Sequence, residues 1–184
     1  MIILITGASH TGKTLLSQKM MEKYKYPYFC IDHLKMGLIR SGIAVLTTYD
    51  DDKLSDFMWP IIREIIKTAI ENKQNLIVEG CYIPFNWRHS FETSYLVFIQ
   101  FICLCMTERY IENHFNEIIS FESVIERRLI NADCTSHRLI EENKILIDGF
   151  RNAGEQIVLI DSDYVNMIKK LLDLHNPDSR HVGE

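Results

Sequence analysis

The sequence predicts an α/β fold in which a parallel β-sheet carries helices on both faces. Short apolar runs recur along the chain without alternating with polar residues, as expected of strands that are buried on both faces. Stretches with apolar residues at helical spacing lie between these runs, and such alternation is typical of parallel sheets. A glycine-bearing loop also joins the first apolar run to the first helical stretch.

Five segments are predicted to be strands: residues 1–5, 28–31, 76–78, 98–105 and 157–160. The clearest helix carries an apolar stripe from Leu54 to Ile70, which Pro60 can kink near its start. Further helices are predicted over residues 13–25, 32–40, 107–119, 121–131, 137–150 and 164–174.

The chain of 184 residues shows no linker, internal repeat or low-complexity segment, and this predicts one domain over residues 1–184. The polar tail at residues 176–184 is expected to be frayed. Hydrophobic residues make up 47% and charged residues 24%, the balance of an ordinary soluble globular protein. The formal net charge of -5 argues against a nucleic-acid partner, which would require a dense basic surface.

The sequence also indicates a cytoplasmic protein without a membrane partner, either a monomer or a homodimer. Its longest apolar run, residues 95–106, is well short of the roughly 20 residues that cross a bilayer. The five cysteines are an odd number without a CxxC pair or a preceding secretory signal, and this pattern favours reduced thiols. Cys103 and Cys105 are expected to share one face of a strand as small buried hydrophobes.

The loop after the first predicted strand matches the phosphate-binding pattern G-x-x-x-x-G-K-S/T. Two glycines permit a tight turn in which backbone N–H groups point at an anion, just before a helix N-terminus. Lys13 is predicted to reach the β- and γ-phosphates of ATP, and the Thr14 hydroxyl to bind Mg²⁺. The predicted nucleotide-binding residues are Gly7, Ala8, Ser9, His10, Thr11, Gly12, Lys13 and Thr14.

Several classes of nucleotide-binding protein share this loop, and the remaining sequence excludes most of them. A GTPase requires an N-K-x-D guanine reader and a D-x-x-G switch, and the nearest stretch, at residues 72–75, lacks the aspartate. Transporter and motor ATPases need a longer chain. A small kinase is the class that remains, and ATP is the expected donor.

The chain resembles the adenylate kinase-like superfamily. The resemblance rests on the phosphate-binding pattern and, in addition, on residues 31–42, 76–80 and 125–129. It implies a three-layer α/β/α P-loop kinase fold with a five-stranded parallel sheet in the order 2-3-1-4-5. It also implies an acceptor-binding region at about residues 32–60 and a short lid at about residues 128–140.

Asp32 follows the second predicted strand, at the sheet edge where open α/β folds bind their ligands. In related kinases an aspartate at this point takes the proton from an acceptor alcohol or orders the Mg²⁺ shell. It would equally serve as an N-cap for a helix beginning at His33.

Glu79 ends the third predicted strand, where a charged residue is costly to bury without a partner. A water bound to Mg²⁺ or the acceptor could be that partner, and a carboxylate turned to solvent is the alternative. Gly80 would let the backbone approach a ligand. Lys35 and Arg40 could hold an anionic acceptor or form the polar face of a helix.

Arginines of the lid are predicted to stabilise the charge that develops during phosphoryl transfer. The family pattern favours Arg128, with Arg138 and Arg151 as further candidates. Residues 50–52, all aspartates, are expected to be a solvated helix start. Trp87, Phe91 and Tyr95 are expected to pack in the core rather than line an acceptor pocket.

The chain departs from adenylate kinases at two points. Lys35 stands where they have an arginine, and residues 79–84 replace a D-G-F-P-R-like stretch. A lysine cannot reproduce the two-pronged grip of arginine on a phosphate. The sequence therefore favours a kinase that phosphorylates a hydroxyl of a small molecule. A nucleoside monophosphate kinase and a non-catalytic nucleotide sensor are the alternatives.

Overall fold

A computed structural model describes residues 1–47, 50–121 and 134–174 of the chain. Its sheet contains five parallel strands, and their spatial order is β2-β3-β1-β4-β5, which confirms the predicted fold and strand order. The strands are β1 (Ile2–Gly7), β2 (Tyr28–Cys30), β3 (Leu76–Glu79), β4 (Ile99–Met106) and β5 (Val158–Ile160).

Helices connect the strands. They are α1 (Lys13–Tyr24), α2 (Ile31–Arg40), α3 (Asp51–Glu71), α4 (Thr93–Leu96), α5 (Glu108–Ser120), α6 (Ser136–Asn152) and α7 (Tyr164–Leu174). The predicted helices within the described residues are confirmed, whereas the one predicted over residues 121–131 lies almost entirely outside them. The sequence did not predict α4 or a short 3₁₀ helix at Trp87–Ser90.

The long helix α3 confirms the predicted helix start at the aspartate run and the predicted helix that carries the apolar stripe. It begins directly after Asp50, as expected of the aspartate run, and continues through Pro60 to Glu71. The centre of its apolar stripe is buried, with Leu54, Met58 and Ile62 fully inaccessible to solvent, whereas Phe57 within the stripe is exposed. Burying such side chains stabilises the fold by about 1.5–3 kcal/mol each.

The two faces of the sheet carry separate hydrophobic cores, and these make the fold a three-layer α/β/α structure. On one face, alternate residues of β1 pack against α3 and a group of aromatic side chains that includes Trp87 and Phe150. On the other face, the remaining residues of β1 pack against α1, α5 and α7. No helix in the described part of the chain is long and apolar enough to span a membrane.

Trp87, Phe91 and the cysteine pair lie where the sequence predicts. Trp87 is fully buried, stacks on Phe101 and meets Phe91 edge-on, so these aromatic residues belong to the core. Cys103 and Cys105 are buried on one face of β4, with their sulfur atoms 3.8 Å apart.

The register of the sheet aligns the carboxyl ends of β1, β2 and β3. Glu79, the last residue of β3, pairs with Ile5 of β1 on one side and with Cys30 of β2 on the other. The segments that leave these three strands therefore start at the same edge. In open α/β folds this edge holds the ligand.

Candidate active site

The loop at residues 7–14 has the backbone geometry of a phosphate cradle. Gly7 has a φ of 146° and Gly12 a φ of 78°, both in the region that favours glycine. A Cβ atom on Gly7 would lie 2.1 Å from the carbonyl oxygen of Leu104, and one on Gly12 would lie 1.7 Å from the Tyr164 hydroxyl. A side chain at Gly7 would therefore collide with the backbone of β4, whereas one at Gly12 would displace the Tyr164 side chain.

Lys13 and Thr14 are the first two residues of α1, so their backbone N–H groups belong to the positive end of that helix. The Lys13 ammonium donates a hydrogen bond to the Ala8 carbonyl at 2.7 Å. The Thr11 hydroxyl donates to the same carbonyl at 2.8 Å. Lys13 is only 8% exposed, so the loop holds a largely desolvated ammonium at its centre.

A cavity of about 530 Å³ opens beside this loop. Gly12, Lys13 and Thr14 form its wall toward the loop, while the opposite walls come from α5 and from the turn between β5 and α7. The rings of Tyr110 and His114 lie next to each other on α5, with centroids 4.6 Å apart. An apolar cavity with a few polar groups is typical of a small-molecule site.

Sequence reasoning did not find this cavity. Its residues on α5 include Tyr110, His114, Glu117 and Ile118, and the turn before α7 contributes residues 162–165. These segments are far apart in the chain and carry no shared motif. The spacing of Tyr110 and His114, four residues apart on a predicted helix, was the one signal present in the sequence.

Asp32 lies at the start of α2 and forms an ion pair with Lys35, with Oδ1 2.9 Å from Nζ. The same ammonium donates a hydrogen bond to the Tyr82 hydroxyl at 2.9 Å. Burial by itself lowers the pKa of Lys35, but the Tyr82 hydroxyl and the Asp32 carboxylate outweigh it and raise that pKa overall. Lys35 therefore stays charged at neutral pH.

The alternative role of Asp32 as an N-cap is wrong. The helix begins at Ile31, and the N-cap position belongs to Cys30. Arg40 ends the same helix and is exposed. Along the helix axis Arg40 lies about 12 Å beyond Asp32 and about 7.5 Å beyond Lys35, more than one turn past the pair.

Glu79 is 3% exposed and accepts a hydrogen bond from the Tyr28 hydroxyl at 2.7 Å, so the alternative of a carboxylate turned to solvent is wrong. Burial and the neighbouring Glu79 charge raise the pKa of Tyr28. The structure gives glycine at Gly80 a packing reason, while the predicted approach of a ligand to its backbone stays a prediction. A Cβ atom there would lie 2.6 Å from the Cβ of Ile31, so glycine is needed for the packing of α2 against β3.

Helix α6 contributes a carboxylate that sequence reasoning missed. Oε1 of Glu142 accepts two hydrogen bonds from Ser9, one from the backbone N–H at 2.7 Å and one from the hydroxyl at 2.8 Å. The next residue, Asn143, is 1% exposed, and its Oδ1 accepts the Met106 N–H at the end of β4 at 2.6 Å. Asn143 thus fixes the helix from which Glu142 reaches the loop.

Several charged groups of the site act electrostatically on Cys81, the residue after Gly80. Cys81 is exposed, yet its thiol lies among enough protein atoms for desolvation to raise its pKa. Lys13 acts in the opposite direction and lowers that pKa, while three carboxylates raise it further: Asp32, Glu142 and Glu79. Lys13, two predicted carboxylates and one unpredicted carboxylate thus all act on one thiol at this edge of the sheet.

Of the predicted arginines, the two within the described residues, Arg138 and Arg151, are exposed. Arg128 and residues 128–133 of the predicted lid lie outside the described residues, as does the tail at 176–184. Arg138 is exposed on the first turn of α6, where its backbone N–H donates to the capping hydroxyl of Thr135 at 3.2 Å. Arg151 is exposed at the other end of that helix.

Comparison with known proteins shows the fold. No protein-family model and no curated protein matches the chain. A deoxyadenosine kinase from M. mycoides, solved with dCMP and dCDP, matches with a TM-score of 0.53 and 15% identity, over 95% of this chain and 96% of that one. A shikimate kinase from Bacteroides thetaiotaomicron matches with a TM-score of 0.52 and 14% identity, over 94% of this chain and 97% of that one.

An uncharacterized protein from Eubacterium ventriosum has the same degree of likeness. Its TM-score is 0.53 and its identity 15%, over 98% of this chain and 99% of that one. The chain therefore has the α/β fold found in these kinases along nearly its whole length. Identities this low leave the substrate to be argued from the site itself.

Proposed function

We propose that this protein is a kinase of the adenylate kinase-like type that transfers the γ-phosphate of Mg-ATP to a hydroxyl group of a small molecule. The observation that carries the proposal is the loop at residues 7–14, where a largely buried Lys13 lies beside a cavity large enough for a nucleoside. Two solved structures of the same fold are named as kinases, which agrees with this proposal.

The loop is suited to a triphosphate because it combines three sources of positive potential. These are its backbone N–H groups, the N-terminus of α1 and the Lys13 ammonium. Thr14, on the first turn of α1, is the residue that would bind Mg²⁺ through its hydroxyl, with Asp32 or Glu79 ordering the water around the ion. Bound Mg²⁺ would supply charge neutralisation between the phosphates.

The cavity is suited to the nucleoside part of ATP because it is continuous with the loop. Tyr110 and Tyr164 supply aromatic wall, and the carboxylates of Glu117 and Asp163 could accept hydrogen bonds from an amino group on a base. Burial raises the pKa of Tyr164 to about 12, with a smaller contribution from Tyr110. Tyr164 is therefore neutral at physiological pH and adds no repulsion toward the phosphates.

Asp32 is proposed as the base for the acceptor. Its carboxylate takes the proton of the acceptor hydroxyl as that oxygen bonds to the γ-phosphorus, and the bond from this phosphorus to the bridging oxygen breaks to release ADP. Lys35 orients the carboxylate through the 2.9 Å ion pair. Arg128 and Arg138 are proposed to approach the transferred phosphoryl group when the lid closes, where they would stabilise its charge.

The environment of Lys35 supports a hydroxylated small molecule as the acceptor, in preference to a nucleoside monophosphate. Its ammonium is already engaged by Asp32 and by the Tyr82 hydroxyl. A second phosphate would have to compete with these contacts for a residue that lacks the fork of an arginine. A neutral acceptor has no such cost.

Calorimetry with Mg-ATP, followed by an ATP-consumption screen, tests the proposal. The screen would include alcohols, sugar acids, aminoglycoside-like compounds and nucleoside monophosphates. We expect binding of Mg-ATP and turnover with a hydroxylated compound. Turnover with monophosphates alone would reject the proposed acceptor class, and absence of binding to any Mg-nucleotide by a folded sample would reject the nucleotide site.

A further inference from the structure

The contact between Glu142 and Ser9 places a carboxylate of the protein on the proposed phosphate loop. Ser9 is the third residue of that loop, and both its N–H and its hydroxyl donate to one oxygen of Glu142, at 2.7 and 2.8 Å. Phosphate loops bind anions through backbone N–H groups of this kind. One such donor is therefore already paired with an anionic group from α6.

The position of α6 relative to the loop is fixed by other contacts. The amide of Asn143 bridges two backbone groups, because it accepts the Met106 N–H at 2.6 Å and donates to the Leu139 carbonyl at 2.7 Å. Strand β4, which ends at Met106, also holds the loop, since the Ala8 N–H donates to the Leu104 carbonyl at 3.1 Å. These contacts hold α6 and the loop in place independently of the Glu142 side chain.

The charge of Glu142 acts on the same small region as Lys13. Both groups influence Cys105, on β4, and Cys81, which lies just after β3, and these two strands flank β1. A phosphate that enters this region gains from the ammonium and is repelled by the carboxylate. The repulsion is strong at short range because the surrounding protein screens charges less than water does.

We infer that Glu142 is an internal competitor for the phosphate site: its carboxylate occupies the Ser9 donors, and an anionic ligand has to displace it. This inference rests on the proposed nucleotide site and adds a residue that sets the affinity of that site. If the Glu142–Ser9 contact served only to link α6 to the loop, its removal would weaken the binding of an anionic ligand, not strengthen it. Loss of such a link would loosen the loop.

Calorimetric dissociation constants of Mg-ATP and of inorganic tripolyphosphate test the inference at one fixed ionic strength. Glu142→Gln removes the charge while keeping the shape, and Glu142→Ala also removes the contact. Glu141→Gln is the matched control, because Glu141 is an exposed carboxylate one position earlier on the same helix. We expect both Glu142 variants to bind both probes more tightly, by about tenfold or more, and the control to resemble the wild type.

Three results would overturn the inference while leaving the proposed function intact. They are unchanged binding by the Glu142 variants, weaker binding by them, and an equal gain in Glu141→Gln, which would indicate a general effect of net charge. If the wild type and all variants bind neither probe, the proposed nucleotide site fails together with the inference. Thermal unfolding checks that each variant is folded. Should Glu142→Ala fail to fold, the nearly isosteric Glu142→Gln alone tests the inference.

Discussion

The Asp32 carboxylate and the Lys35 ammonium form an ion pair across one turn of α2, with Oδ1 2.9 Å from Nζ. The pair is held in place by the hydroxyl of Tyr82, in the segment after β3, which accepts a hydrogen bond from the same ammonium. The pair lies at the carboxyl edge of the sheet, where open α/β folds bind their ligands, and this placement supports the proposed role of Asp32 as the base. Because the two charges neutralise each other, the pair also supports the proposed neutral acceptor.

Replacement of Asp32 is predicted to slow catalysis without weakening the binding of the nucleotide. We expect Asp32→Asn to lower kcat by about 10²–10⁴-fold, since an amide cannot accept the proton, while the dissociation constant of Mg-ATP stays essentially unchanged. Asp56→Asn, at an exposed position on α3, is the control. Equal kcat in the two variants would show that Asp32 is not the base and would favour a nucleotide sensor.

Lys13 is expected to be required for binding of the phosphates. Lys13→Ala removes a charge-assisted donor, so the dissociation constant of Mg-ATP should rise by about 10- to 100-fold. Lys19→Ala, an exposed position on the same helix, should bind like the wild type. Calorimetry measures both, and wild-type affinity in Lys13→Ala would remove the loop from the mechanism.

The cavity beside the loop predicts a difference between nucleotide and phosphate probes. Tyr110→Ala should weaken ATP binding about tenfold, because stacking of a base on an aromatic ring contributes about 1–3 kcal/mol. Inorganic tripolyphosphate should bind unchanged, and Tyr110→Phe should retain ATP affinity because the ring remains. If tripolyphosphate weakens as much as ATP, Tyr110 acts on the loop and the cavity does not hold the base.

Asn143 is expected to be a stability determinant. Asn143→Ala leaves the buried Met106 N–H without its acceptor, which should cost about 1–3 kcal/mol in the free energy of unfolding. Urea denaturation followed by circular dichroism provides the measurement. Asn152→Ala, at the exposed end of α6, is the comparison, and equal stability of the two variants would contradict the role assigned to the buried amide.

The local patterns of the sequence were sufficient for the elements and for the loop. A short run of consecutive apolar residues, such as that of β1, indicates a strand that is buried on both faces. The apolar stripe from Leu54 to Ile70 indicates the helix α3. Each pattern is informative because its periodicity matches one backbone geometry. The loop proposed to bind phosphates was equally visible, since Gly7, Gly12 and Lys13 stand at the fixed offsets of the pattern. The strand order came from the family resemblance, and the structure confirms it.

The partners of the charged side chains were decided by the tertiary structure alone. Glu142 reaches Ser9 across 133 positions of the chain, and Tyr28 covers Glu79 across 51. The cavity likewise joins α5 to the turn before α7. Local periodicity states which face of an element is buried, but it does not state which distant side chain packs there, because that depends on the register of the sheet and the position of each helix on it.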